Sequence, residues 1–162
     1  MINHPIEPIY NENSKILILG SFPSVKSRET GFFYGHPQNR FWKVVSAVCA
    51  VPVPVTIREK KDFLLNNNIA VWDVIKSCDI EGSSDSSIKN VTPNDLHVIL
   101  ENAHIKQIFV NGKKAEQLYI KYIEPNINQS AVCLPSTSPA NAAWNLDRLV
   151  ESWGKEIRKF IT

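Results

Sequence analysis

Apolar and polar positions fall in blocks along the chain, and the blocks predict buried strands separated by helices. Lys15-Ile16-Leu17-Ile18-Leu19 is an almost continuous apolar run, as expected of a strand covered on both faces. Gly20 ends it. From Asn39 or Arg40 the apolar residues Phe41, Val44, Val45, Val48 and Cys49 recur at helical spacing, and Val51-Pro52-Val53-Pro54 stops that helix. A second helix over about residues 57–67 turns Phe63 and Leu64 inward and Arg58, Glu59, Lys60 and Lys61 outward. Ile69-Ala70-Val71-Trp72-Asp73-Val74-Ile75 is the next strand, with Asp73 its one discordant residue. Residues 76–91 read as a loop of Ser, Asp and Gly whose length points to function.

Thr92-Pro93-Asn94-Asp95 predicts a helix start, with Thr92 as cap, Pro93 in the first turn and Asp95 at the positive end. Gln107-Ile108-Phe109-Val110 is a third strand, followed by Asn111-Gly112-Lys113 and a helix through Tyr122. Ala131-Val132-Cys133-Leu134 is the fourth, followed by the irregular stretch Pro135-Ser136-Thr137-Ser138-Pro139-Ala140-Asn141. A last helix runs from about Asn145 with Leu146, Leu149, Val150, Trp153, Ile157 and Phe160 on one face. Residues 1–14 read as an irregular arm from which Ile6, Ile9 and Tyr10 can pack on the core.

This alternation predicts an α/β protein, a three-layer α/β/α sandwich around a central four-stranded, mainly parallel sheet. In such sheets the loops beyond the carboxyl ends of the strands build the site, so the loops near Gly20, Asp73, Asn111 and Pro135 are the ones to watch. Composition adds limits. A chain of 162 residues fits one domain, 1–162, and 43% hydrophobic content supports a core of its own. A formal net charge of +2 permits nucleic-acid binding without announcing it. The N-terminus does not read as a signal peptide and no apolar run approaches a membrane span, so a cytoplasmic, non-membrane protein is expected. Cys49, Cys78 and Cys133 are too few and too scattered for an iron–sulfur cluster, and His4, His36, His97 and His104 show no zinc-ligand spacing with them. No metal or other cofactor is expected.

Neither a phosphate loop nor a dinucleotide fingerprint is present, and there is no Gly-x-Ser-x-Gly elbow. The concentrated chemistry lies in Gly20-Ser21-Phe22-Pro23-Ser24 and in Gly31-Phe32-Phe33-Tyr34-Gly35-His36-Pro37-Gln38-Asn39-Arg40-Phe41-Trp42. Aromatic faces stack on bases and amides read their edges, so this mixture suits a flat polar ligand.

The stretch from Gly31 to Lys43 resembles the corresponding segment of the mismatch-specific uracil-DNA glycosylases, and Leu134-Pro135-Ser136-Thr137-Ser138 resembles the second signature loop of the uracil-DNA glycosylase superfamily. The form of residues 20–24, and Trp72-Asp73-Val74-Ile75 with the loop 82–88, are most similar to the hypoxanthine-DNA (deoxyinosine) glycosylase branch. The resemblance implies a monofunctional DNA glycosylase that hydrolyses the N-glycosidic bond of a flipped, deaminated base, foremost hypoxanthine, with damaged DNA as partner and a monomer as the acting unit. It implies Asn39 as the catalytic residue. It implies Gly20, Ser21, Phe22, Tyr34 and Asp73 around the base, and Ser24, Ser136, Thr137, Ser138, Pro139, Ala140 and Asn141 against DNA. Among these, Pro139, Ala140 and Asn141 would be the wedge, and Lys26, Arg28 and Lys113 would add charge. The chain departs from the pattern in two places. Phe22 stands where the mismatch-specific branch has an Asn and other branches an acid, and Leu134 stands where the classical uracil enzymes have a His.

Several readings stay open at this level. The carbonyl of Asn39 can orient water, its NH2 can meet the base, or the residue can simply cap the helix that follows. Tyr34 can pack or stack. Asp73 can read the ring N–H of hypoxanthine or uracil, or it can cap a loop or tie down the serines of residues 83–87. His36 reads as a loop brace, Arg40 as the partner of a carboxylate or a loop brace, and Phe41 and Trp42 as core. A uracil or thymine mismatch enzyme is the nearest alternative function, and a catalytically silent nucleic-acid-binding module of the same fold is the other.

Overall fold

The computed structural model describes residues 1–161; Thr162, the last residue of the expected domain, lies outside the described residues. The strands β1 (Ile2–Asn3), β2 (Ile16–Gly20), β3 (Ile69–Asp73), β4 (Ile75–Asp79), β5 (Lys89–Pro93), β6 (Gln107–Asn111) and β7 (Ala131–Leu134) form two sheets. The helices are α1 (Val25–Thr30), α2 (Phe41–Val48), α3 (Ile57–Asn66), α4 (His97–Leu100), α5 (Lys113–Tyr122), α6 (Glu124–Ile127) and α7 (Leu146–Ile161).

The central sheet has the order β3-β2-β6-β7 and is parallel throughout. Its strands are apolar on both sides because both sides are covered. Ile16 and Ile18 of β2 face a layer built from α2, α3 and α7, including Phe41, Val45, Leu64, Leu149 and Trp153. Leu17 and Leu19 face the opposite layer, where Ala115, Leu118 and Tyr119 of α5 pack with Ile99 of α4 and Ile75 and Cys78 of β4. All four β2 side chains are fully buried, each worth roughly 1.5–3 kcal/mol of transfer free energy. The expected three-layer α/β/α sandwich is the observed one.

The second sheet, β1-β4-β5, is antiparallel and was not expected. The stretch 76–91, read as one long loop, is two strands joined by a segment with a short 3₁₀ turn at Asp85–Ser87. The arm 1–14 is not wholly irregular either. Ile2 and Asn3 pair with Cys78 and Ser77, and Ile9 bridges Val71. Nor does Thr92-Pro93 begin a helix; both residues belong to β5. Pro93 ends that strand, a position where its missing N–H is tolerated. The single-turn α4 starts later, with Asp95 Oδ1 accepting from His97 N at 3.0 Å. Asn94 is used differently. Its Nδ2 donates to the carbonyls of Asp73 (2.9 Å) and Ile75 (3.1 Å) and so clamps the chain where β3 passes into β4.

Candidate active site

The carboxyl ends of β2, β3, β6 and β7 open into one cavity of about 270 Å³. It is lined by Gly20, Ser21, Phe22, Tyr34, Asn39 and Asp73, and on another side by Asn111, Thr137 and Ser138. The residues expected around a base thus meet in one place.

Its floor is set by a close approach. Gly20 pairs with Asp73 across the two strands. A Cβ at Gly20 would lie 2.5 Å from Asp73 Oδ1 and 3.1 Å from the Tyr34 hydroxyl. Glycine is required there because both polar groups lean over the backbone. Asp73 is buried, and its Oδ2 is 2.7 Å from His4 Nε2, contributed by the N-terminal arm. The serines of the 83–87 stretch are not its partners.

Tyr34 adopts a left-handed backbone (φ 51°), an arrangement costly for a bulky residue and typical of functional loops. Its ring stacks on Phe41 with centroids 3.9 Å apart, and its hydroxyl accepts from Asn111 Nδ2 at 3.3 Å. Burial raises the Tyr34 phenol well above an ordinary tyrosine, the Asp73 charge adds to this, and the Asn111 hydrogen bond opposes it. The phenol is therefore a neutral group. Phe32, Phe41 and Trp42 are buried in the core away from the cavity, while Phe33, also buried, and Tyr34 line it.

Asn39 both caps and reaches the cavity. Its Oδ1 accepts from the Phe41 N–H at 3.0 Å and from the Thr137 hydroxyl at 2.8 Å. Thr137 Oγ1 in turn accepts from Asn111 Nδ2 at 3.0 Å, while the Thr137 N–H donates to Asn111 Oδ1 at 3.1 Å. These bonds define every orientation. A backbone N–H can only donate, so Phe41 fixes which end of the Asn39 amide is oxygen, and the Thr137 N–H does the same for Asn111. Both lone pairs of Asn39 Oδ1 are occupied, and the Asn39 NH2 is the end left to the cavity.

The second loop is held by Arg40, whose guanidinium donates to the carbonyls of Trp144, Ser138 (2.9 Å) and Asn141 (3.1 Å). Of the two readings open for Arg40, it is thus a brace and, among the described residues, not the partner of a carboxylate. His36 is a brace too, its Nδ1 accepting from Gln38 N at 3.1 Å. Ser24 caps α1 by accepting from Ser27 N at 3.1 Å, and Ser138 accepts from Ala140 N at 3.2 Å. Ser136 accepts from Ser138 N (3.1 Å) and Asn141 Nδ2 donates to the Ser136 carbonyl (3.0 Å). Pro139 and Ala140 stand exposed at the rim, whereas Thr137 is fully buried beneath it.

Among the lining or supporting residues given no role of their own from sequence are His4, Asn111 and Asp85. Asn111 carried a usable signal, a polar residue closing an apolar strand before Gly112. Asp85 lay in a stretch already marked for its length. Although Asp85 is exposed as a residue, its carboxyl abuts Ser21; crowding raises it, opposed by Lys114 and by the Ser21 hydrogen bond. His4 carried none, since its partner lies 69 positions away. Among the described residues no group of three or more His, Cys, Asp or Glu could hold a metal ion, and no helix is long and apolar enough to cross a membrane.

Comparison with known proteins agrees with this architecture. Residues 7–157 match the model of the uracil DNA glycosylase superfamily. A hypoxanthine DNA glycosylase of Methanosarcina acetivorans is 35% identical over 153 residues, covering 91% of this chain and 94% of the relative. One from Methanosarcina barkeri is 34% identical over 110 residues, covering 67% and 70%. A solution NMR structure of a candidate uracil DNA glycosylase from Methanosarcina acetivorans superposes with a TM-score of 0.82 at 33% identity, covering 98% of each chain. By family match, relatives and fold together, this chain belongs to the uracil DNA glycosylase superfamily.

Proposed function

We propose that the protein is a monofunctional DNA glycosylase that hydrolyses the bond between deoxyribose and a flipped deaminated base, foremost hypoxanthine. The curated relatives that match most of this chain carry that activity in their names. The observation that carries the reading at the level of chemistry is the amide of Asn39, whose oxygen is saturated and whose NH2 is free toward the cavity.

Breaking the bond leaves its electron pair on the base and positive charge on the sugar. Water then attacks the sugar carbon and loses its proton to solvent. An N–H donor aimed at the base gains strength as that negative charge grows, which is the behaviour required of a transition-state contact. Asn39 supplies this donor, the N–H groups of Ser21 and Phe22 supply others, Tyr34 packs the base, and Asp73 accepts its ring N–H. With its oxygen committed to Phe41 and Thr137, Asn39 has no lone pair left to orient water. No lysine is among the described residues lining the cavity, in keeping with hydrolysis rather than Schiff-base chemistry. DNA lies across Ser24, the 136–141 loop and the exposed Pro139 and Ala140. We read residues 1–162 as one domain acting as a cytoplasmic monomer.

The test is base release from oligonucleotides carrying deoxyinosine, deoxyuridine, deoxyxanthosine or a G·T mispair. Free hypoxanthine is expected from deoxyinosine, and Asn39→Ala should lower the single-turnover rate by about 10²–10³-fold, as loss of one such donor does elsewhere. Asn39→Asp keeps both internal contacts but offers no N–H, so it should fall as far. Intact deoxyinosine DNA at high enzyme concentration rejects the substrate. An active Asn39→Asp rejects the donor role and returns the residue to orienting water.

A further inference from the structure

Asp73 is not a bare carboxylate at the cavity floor. We infer that His4, reaching in from the N-terminal arm, is a specificity-determining residue that locks Asp73 as an acceptor, so that the pocket reads the ring N–H created when a base is deaminated. This rests on the base-facing role of Asp73 proposed above.

The tautomer of His4 follows from its neighbours. The Ile6 N–H donates to His4 Nδ1 at 3.1 Å, so that nitrogen carries no proton. The ring proton sits on Nε2 and is donated to Asp73 Oδ2 at 2.7 Å. Both side chains are almost inaccessible, at 3% and 6% exposure. The arm is itself anchored, since His4 N donates to the Lys76 carbonyl at 2.7 Å and Ile6 is buried in the core. The imidazole is walled by Phe22 edge-on at 5.8 Å and by Phe33 at 6.0 Å. Arg28 lies beyond Phe22, 5.6 Å from that ring. The other carboxylate oxygen, Oδ1, leans over Gly20 at the cavity floor.

His4 therefore takes one end of the carboxylate and leaves a lone-pair acceptor at the other. Hypoxanthine and uracil carry an N–H on the ring nitrogen of their pairing edge. Adenine and cytosine, from which they arise, carry a lone pair there. An acceptor fixed in this position favours both deaminated bases and repels both parents. Guanine keeps a ring N–H, so this pair alone does not exclude it.

The experiment exploits Asp73→Asn, a neutral replacement of the same shape. With the Ile6 N–H holding Nδ1, His4 must still donate from Nε2. The new amide must then turn its oxygen to His4 and its NH2 to the cavity. The readout is binding to duplexes carrying hypoxanthine or unsubstituted purine on a 2′-fluorinated sugar, which resists cleavage. Purine presents a lone pair at the ring nitrogen where hypoxanthine has its N–H. Wild type should prefer hypoxanthine by about tenfold or more, the scale of one hydrogen bond to a charged group. Asp73→Asn should reverse the order. His4→Gln, which can still donate an N–H, should keep the wild-type order. Retention of the hypoxanthine preference in Asp73→Asn overturns the inference, as does a wild type without preference or a His4→Gln protein that loses it. Hydrolysis of ordinary deoxyinosine DNA is scored separately. If wild type binds with the expected order but never releases base, the glycosylase reading fails and the role of His4 stands.

Discussion

Thr137→Val is the most revealing single change in the site. Valine preserves the branched shape in a position with no solvent exposure, so the cavity walls stay packed. What is lost is one hydroxyl with two jobs: it donates to Asn39 Oδ1 and accepts from Asn111 Nδ2. Asn111 retains the Tyr34 hydroxyl, and Asn39 retains the Phe41 N–H. Neither amide is orphaned, so the stability loss should be about 1–2 kcal/mol, near the cost of one net hydrogen bond plus partial desolvation. The chemical step should suffer more than binding. Asn39 now has a single tether, and one lone pair of its oxygen is unpaired, so its NH2 is no longer fixed in direction. A loss of about 1.4–2.7 kcal/mol in the transition state corresponds to roughly 10- to 100-fold in rate. The assay is single-turnover release of base from deoxyinosine duplex, with duplex affinity measured independently. Thr137→Ser restores the hydroxyl and should recover most of the rate. If Thr137→Val releases base at the wild-type rate, or if Thr137→Ser falls equally far, orientation through Thr137 is refuted.

Two further outcomes follow from the floor of the cavity. Gly20→Ala drives a methyl group against Asp73 Oδ1, and because His4 holds the other oxygen, Oδ2, the carboxylate has little room to retreat; a cost of about 1–3 kcal/mol in urea unfolding is expected, with weakened base binding. The raised Tyr34 phenol adds an alkaline limb to stability: unfolded tyrosine ionises near pH ~10 while the folded phenol keeps its proton, so this contribution is full below that pH and declines above it. Tyr34→Phe should flatten the decline in unfolding midpoint above about pH 10, and an unchanged slope counts against burial of the hydroxyl.

The parts of the fold that were legible are those whose burial is symmetrical. β2, β3, β6 and β7 are covered on both faces and so appear as unbroken apolar runs. The second sheet was hidden for the opposite reason. β5 is Lys-Asn-Val-Thr-Pro, open to solvent along most of its length, and its pairing with β4 is broken by register shifts. Such a strand exists because β4 is there to pair with it, not because its residues prefer extension. Pro93 was misread on the same account, since a proline closing a strand and a proline opening a helix look alike without the partner. In the site, Asn39 and Asp73 stood out as polar residues in conspicuous surroundings. Their partners did not, because Thr137 is 98 positions from Asn39 and His4 is 69 from Asp73.

The absence of an acid from the first loop has a physical explanation in these contacts. The Phe22 ring packs edge-on against His4, and His4 holds Asp73, so side chain 22 stands beside a buried carboxylate. An acid at position 22 would bring a second negative charge to that carboxylate, and two such groups in one low-dielectric pocket oppose each other's ionised form. An aromatic ring instead seals the pair from water and preserves its charge-assisted bond. The polar tasks are then divided among strand ends: an acceptor at the end of β3, a hydroxyl on Tyr34, and an N–H donor on Asn39 aligned from β6 through Asn111 and from the last loop through Thr137. On the proposed reading, Phe22 lets Asp73 serve as the reader, and the donor must come from elsewhere in the chain. Asn39, at the entrance to α2 and tied to the 135–141 loop, is the side chain whose free amide end meets that need.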